Sequence, residues 1–179
     1  MKTALLVIDV QMAFVHDDAN GASRSCPGAS ENIASLLAEF RRRGDKIIHI
    51  HHQGQDESDP YNANAVGFVV QPFASPLEGE DVGIKLGGSG FVGTSLEQIL
   101  RDAEIERLIV CGATVNHCAE STTRSAGDLG FDTYYISDAV WAYSVTGLDG
   151  IEHSVDQVHL VTLSTLHGEF ARGCRLRKR

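Results

Sequence analysis

Leu108-Ile109-Val110-Cys111-Gly112-Ala113-Thr114-Val115-Asn116-His117-Cys118-Ala119-Glu120-Ser121-Thr122-Thr123 runs from a short apolar segment, through a glycine, to a cysteine that opens a stretch of small and polar residues. The branched residues up to Val110 predict a strand over Glu106 to Gly112 that is covered on both faces. From Cys118 the residues tolerate a helix, and Gly127 and Gly130 supply stop signals. A thiol at a helix N-terminus faces unpaired N–H groups and the positive end of the macrodipole. Both lower a cysteine pKa, so Cys118 is the candidate nucleophile.

Outward from this stretch, strands alternate with helical patterns. Strands are expected at Thr3 to Ile8, Lys46 to His52, Val82 to Leu86 and Asp132 to Ser137. A helix is expected from Ser30 to Arg43, with Ile33, Leu36, Leu37 and Phe40 on one face and Gly44 as its C-cap. Thr94-Ser95-Leu96-Glu97 matches a capping box, which starts a helix that runs to about Ala103. A last helix spans Ser154 to Leu166, with Val155, Val158, Val161 and Leu166 as inward candidates, and the basic tail Arg175 to Arg179 is expected to fray. Alternating β and α predicts an α/β fold, a three-layer, doubly wound parallel sheet in one domain over 1–179. In such sheets the site lies beyond the carboxyl ends of the strands, where strand order reverses.

Composition sets the class. The 179 residues are 42% hydrophobic and 22% charged, as in an ordinary globular domain. A net charge of -9 argues against nucleic acid and favours a neutral or cationic small molecule. Asp9 ends the first apolar run too early for a secretory signal, and no run approaches a membrane span, so a cytoplasmic protein is expected. The four cysteines (Cys26, Cys111, Cys118, Cys174) are widely spaced with no CxxC pair, which suits free thiols in a reducing compartment.

Polar residues at strand ends carry the chemical reading. Asp9 follows Leu5-Leu6-Val7-Ile8, although a capping aspartate would read the same way. Lys85 lies among Val82, Ile84 and Leu86, where a solvated edge lysine is the plain alternative. For Cys118 the plain alternative is a buried helical thiol.

Taken together, Ile8-Asp9-Val10-Gln11 with Phe14, then Lys85 with Phe91, Thr94 and Leu96, then Gly112 through Cys118 with Thr123, resemble the isochorismatase-like cysteine hydrolase family. That family includes nicotinamidases, carbamoylsarcosine amidases and other small-amide hydrolases. The resemblance implies a six-stranded parallel sheet and a catalytic triad of Asp9, Lys85 and Cys118. It implies hydrolysis of a small amide through a thioester, with no cofactor. It also implies an oxyanion hole from the amides of Thr114 and Cys118, with a cis peptide at Ala113-Thr114. Relatives are commonly homodimers or homotetramers. Two alternatives are vinyl-ether hydrolysis of the isochorismatase type, which the retained Cys118 disfavours, and a non-catalytic ligand-binding member of the fold.

Departures from the family pattern shape further expectations. Nicotinamidases carry an Asp-x-His metal motif after the second strand, whereas this chain reads His49-Ile50-His51-His52-Gln53, so no metal is assigned. Alternation places His49 and His51 on one face of that strand and His52 on the other. Gly87-Gly88-Ser89-Gly90 lacks the Gly-Lys-Ser/Thr of a phosphate loop. Phe14, His52, Phe91, Asn116, His117 and Trp141 are the pocket candidates, with Tyr143 a further aromatic beside them. Specificity is expected in the long loop from Gln53 to Asp81 and around Trp141 to Thr146.

Overall fold

A computed structural model describes residues 1–176. In chain order the elements are β1 (Thr3–Ile8), α1 (Ala13–Ala19), α2 (Ala29–Arg43), β2 (Lys46–His52), β3 (Asp81–Lys85), α3 (Leu96–Asp102), β4 (Arg107–Ala113), α4 (Cys118–Asp128), β5 (Asp132–Trp141), β6 (Val145–Thr146), β7 (Glu152–His153), α5 (Val155–Leu166) and β8 (Arg172–Cys174). Six strands form one parallel sheet in the order β3-β2-β1-β4-β5-β8. Order reverses between β1 and β4, which puts the switch point at the ends of the strands that precede Asp9 and Cys118.

Both faces of the sheet are covered, so its central strands read as unbroken apolar runs. Along β1, Ala4, Leu6 and Ile8 join one core with Leu96 and Leu100 of α3, Ala119 and Ala126 of α4 and Leu166 of α5. Leu5 and Val7 face the other way, onto Ile33, Leu36, Leu37 and Phe40 of α2. Gly44 closes α2 in the left-handed conformation at φ 68°, as its position past the last apolar residue requires. No helix among the described residues is long and apolar enough to cross a membrane.

Several elements depart from the sequence expectations. β5 continues past Ser137 to Trp141 because it bulges: Ile136 to Ala139 stand against Cys111 alone, and pairing with β4 resumes at Gly112 with Val140. β8 falls in Arg172-Gly173-Cys174, within what reads as a tail, and α1 lies in a stretch with no expected helix. The capping box at Thr94 does not form. Ser95 is the N-cap of α3, Thr94 Oγ1 donates to the Gly90 carbonyl at 2.5 Å, and Glu97 pairs with Arg101 instead. A reciprocal box is made at Ser154 and Gln157 of α5. Val161 faces outward and is 62% exposed, because the inward stripe of α5 is carried by Thr162 and Leu166. The expected fraying concerns residues 177–179 mostly, which lie outside the described residues; Leu176 N–H donates to Asp138 Oδ1 at 2.8 Å.

Candidate active site

Side chains that follow β1 and β4 at the switch point meet one that reaches across β2 from the end of the edge strand β3. β1 stops at Ile8, and Asp9 turns the chain with a φ of 50°, a left-handed conformation that a non-glycine residue rarely adopts. Lys85 is the last residue of β3, fully buried, and its Nζ donates to Asp9 Oδ2 at 2.8 Å and to the Gly87 carbonyl at 3.2 Å. Cys118 is the first residue of α4 and bears on both Asp9 and Lys85. The solvated-edge reading of Lys85 is therefore set aside. Asp9 Oδ1 is buried and has no hydrogen-bond partner among the described residues.

Electrostatics in this cluster run against the thiolate expected at a helix N-terminus. Burial, then the charge of Asp9, pushes the Cys118 thiol up to about 11, and the attraction of Lys85 offsets only part of that. Burial also raises Asp9 above the ordinary carboxylate range, against the pull of Lys85. The resting site thus holds a protonated thiol beside a carboxylate of raised basicity.

Gly112, next to last in β4, lets that strand pass close against Ile8 of β1. Its φ is 117°, and a Cβ there would stand 2.0 Å from the Ile8 carbonyl oxygen. The Ala113-Thr114 peptide is cis. Val115 N–H donates to the Trp141 carbonyl, whereas the N–H groups of Thr114 and Cys118 donate to no other described residue. Thr114 and Cys118 both line the same cavity.

A cavity of about 310 Å³ opens over the thiol, lined by Asp9, Phe14, His52, Tyr61, Thr114, Asn116, His117, Cys118, Tyr143, Ser144 and Val145. Four of the six pocket candidates, Phe14, His52, Asn116 and His117, therefore face it, and so does Tyr143. The other two do not. Phe91 packs into the core on the other side of the sheet, its ring stacked 6.2 Å from Phe131. Trp141 is fully buried behind the wall, where it meets the edge of Phe14 at 5.5 Å and lies under the Arg24 guanidinium at 4.1 Å. Tyr61 was not foreseen. It sits within the long loop and touches both Phe14 (5.6 Å) and His52 (5.4 Å), contacts that loop sequence does not announce.

Other clusters lie away from this cavity. His49 Nε2–H donates to Glu80 Oε2 at 2.9 Å, and Arg41 grips the same carboxylate at 2.7 and 3.0 Å. His49 and His51 share a strand face, with rings 6.4 Å apart. Among the described residues, no three His, Cys, Asp or Glu side chains are grouped to hold a metal ion. The glycines after Lys85 pack on α4, where Gly90 N–H donates to Thr122 Oγ1 at 2.9 Å. A larger hollow of about 560 Å³ lies at the opposite, amino ends of β1 and β2, walled by Lys2, Thr3, Lys46 and Ile47. Among the described residues its lining has no cysteine, serine or histidine, and its two lysines are paired, Lys2 with Glu104 and Lys46 with Asp81.

Comparison with known proteins adds independent observations. An isochorismatase domain model matches residues 3–161. The chain is 36% identical over 170 residues to the uncharacterised isochorismatase family protein YrdC of Bacillus subtilis, covering 95% of this chain and 90% of that one. It is 26% identical over 157 residues to a maleamate amidohydrolase of Pseudomonas putida, covering 78% and 72%. A crystal structure of an isochorismatase family protein from Chromobacterium violaceum superposes with a TM-score of 0.92 at 36% identity, covering 97% of this chain and 89% of that one.

Proposed function

The chain belongs to the isochorismatase family, and from that premise we propose that it is a cysteine-dependent hydrolase of the C–N bond of a small amide. One observation carries the reading. Lys85 occupies one oxygen of Asp9, the other is buried without a hydrogen-bond partner among the described residues, and the carboxylate as a whole bears on the Cys118 thiol. A carboxylate of raised basicity is suited to take the proton of a thiol that does not ionise by itself.

The sequence of events follows from this geometry. Cys118 Sγ attacks the amide carbon as its proton passes to Asp9 Oδ1. The carbonyl oxygen, now anionic, is received by the N–H groups of Thr114 and Cys118. Asp9 returns the proton to nitrogen, the C–N bond breaks, and ammonia or an amine leaves behind a thioester. Water then attacks the thioester and gives a proton to Asp9. The C–S bond breaks, and the proton returns to sulfur as the acid departs. Lys85 steadies the negative charge of Asp9 whenever the acid is ionised, and when Asp9 holds the proton it lowers the cost of the transient thiolate.

The cavity walls narrow the substrate. Phe14, Tyr61 and Tyr143 supply flat apolar surface, and among the described residues no arginine or lysine lines the space. An acyl group that carries a carboxylate would be desolvated there without a counter-charge. The reading therefore favours a neutral amide with a flat or apolar acyl group. The maleamate-hydrolysing relative supports the amide chemistry and not that particular substrate. The test is ammonia release from a panel of neutral primary amides and, in parallel, turnover of isochorismate. We expect at least one amide to be turned over, with a loss of about a thousand-fold or more in Cys118→Ala. Amide turnover that survives Cys118→Ala, or turnover of isochorismate alone, contradicts the proposal.

A further inference from the structure

Gln11 belongs to the motif around Asp9 but takes no part in the chemistry above. Its side chain is fully buried and makes three hydrogen bonds. The carboxamide oxygen accepts from His52 N–H at 2.9 Å. The carboxamide nitrogen donates to the His52 carbonyl at 2.9 Å and to the Phe68 carbonyl at 2.9 Å.

The backbone explains the need. Pairing of β1 with β2 ends at Ile8 and Ile50, and Asp9 N–H makes the final bond to the Ile50 carbonyl at 2.8 Å. β2 runs on to His52, whose partner on its far side is Lys85 of β3. On the near side, His52 has a donor and an acceptor with no strand to meet them. The carboxamide offers the same pair of groups as a peptide unit, and so extends the ladder one step past the point where the chain turns away. The main chain of Gln11 is tied as well. Its N–H donates to the Asp9 carbonyl at 2.8 Å, and its carbonyl accepts from Gln71 Nε2 at 2.9 Å. Residues 9–12 are thus clamped between the end of β2 and the long loop, with Met12 N–H on the Val69 carbonyl and Gln71 N–H on the Val10 carbonyl.

We infer that Gln11 is a positioning residue, which fixes the strand end that bears Asp9 against the His52–Lys85 strand pair and docks the loop that supplies Tyr61 to the cavity. The inference rests on the proposed chemistry for its consequence, but the geometry it sets can be read without a substrate. Lys85 and His52 are register partners, and Gln53 N–H donates to the Lys85 carbonyl at 2.9 Å. A shift of β1 relative to His52 therefore changes the reach of Asp9 to Lys85 and to the sulfur together.

The experiment uses Gln11→Glu and Gln71→Met, with the pH dependence of Cys118 alkylation by iodoacetamide as the primary readout and thermal melting as the control for folding. In Gln11→Glu the ionised side chain can still accept from His52 N–H but presents oxygen to two carbonyls. We expect its alkylation midpoint to fall by about one pH unit, as water and a displaced Asp9 relax the environment of the thiol. On any amide that the wild type hydrolyses, kcat falls by about ten-fold or more while KM changes less than about three-fold, and lowering the pH restores part of kcat as the acid regains an O–H donor. Gln71→Met, which leaves the carboxamide in place, shows the same changes at smaller size and serves if Gln11→Glu does not fold. A folded variant of either kind with an unmoved midpoint and an unchanged kcat, and with only a lower melting temperature, overturns the inference. Absence of amide turnover in the wild type counts against the proposed function alone, because the midpoint still reports on Gln11.

Discussion

Asp9 is held by Lys85 on one side, held in a left-handed backbone conformation by its neighbours, and left with one oxygen for the thiol. Its negative charge also keeps the Cys118 proton in place at rest, which separates two properties that usually travel together in cysteine enzymes. Asp9→Asn removes that charge. The thiol pKa then falls from about 11, so alkylation of Cys118 at pH 8 speeds up, by about ten-fold for each unit of the fall. On the proposed chemistry, amide hydrolysis falls in the same variant by about a hundred-fold or more, since Asp9 is the proton acceptor there. Paired rate measurements on one preparation check this, and a parallel loss of both rates contradicts it. Asp9, Lys85 and Cys118 were each legible in the sequence as polar residues that close or follow apolar runs. The state of the thiol was not, because desolvation depends on Tyr61 and Phe14 arriving from other parts of the chain.

At the scale of elements, the cavity wall is built in two layers. Tyr143 stacks on Phe14 at 6.1 Å, and its hydroxyl donates to Asp18 Oδ1 at 2.8 Å, a carboxylate that also pairs with Arg24. Behind them Trp141, at the end of β5, supports the edge of Phe14 but leaves its Nε1 without a partner. Trp141→Ala should cost about 3–5 kcal/mol through the cavity it leaves. Trp141→Phe should cost under about 2 kcal/mol, because it also removes an unsatisfied buried donor. Urea denaturation of the three proteins decides, and equal losses in the two variants contradict the two-layer reading. β1, β2 and β4 could be read from their apolar runs because both of their faces are buried. β8 could not, since Arg172-Gly173-Cys174 is an edge strand with no apolar pattern, and the far half of β5 is interrupted by Ser137 and Asp138. Phe91 and Trp141 show the limit of residue type alone. An aromatic near a site in sequence can equally be core, and only the register of its strand or loop decides.

For the whole molecule, two buried histidines and one clamped carboxylate contribute to the loss of stability in acid. Burial lowers His49 and His51 below the ordinary value of 6.5, His51 to about 4. Arg41 and Glu80 face His49, and His49 is the titratable neighbour that bears on His51. The folded state therefore takes up fewer protons than the unfolded chain between about pH 6.5 and 4, and stability is present above that window and is lost as the pH falls through it. Burial acts to raise Glu80, but its bonds from Arg41, Leu77 N–H and His49 outweigh this and hold it at about 2, so its contribution is lost from about pH 4.5 downward. Melting temperature should thus be level above pH 7 and decline below 6.5, and His51→Gln should flatten the upper part of that decline. A melting temperature that does not change between pH 7 and 5 contradicts the assignment. The sheet so stabilised brings an acid, a lysine and a sulfur from three distant segments to one rim, and the central claim is that they form a thioester with the acyl group of an amide. Rapid acid quenching during turnover, followed by mass spectrometry of the peptide that contains Cys118, tests it most directly. One acyl group per chain on Cys118, formed together with an equal burst of ammonia, is the predicted result; ammonia release with an unmodified Cys118, and full activity in Cys118→Ser, would contradict it.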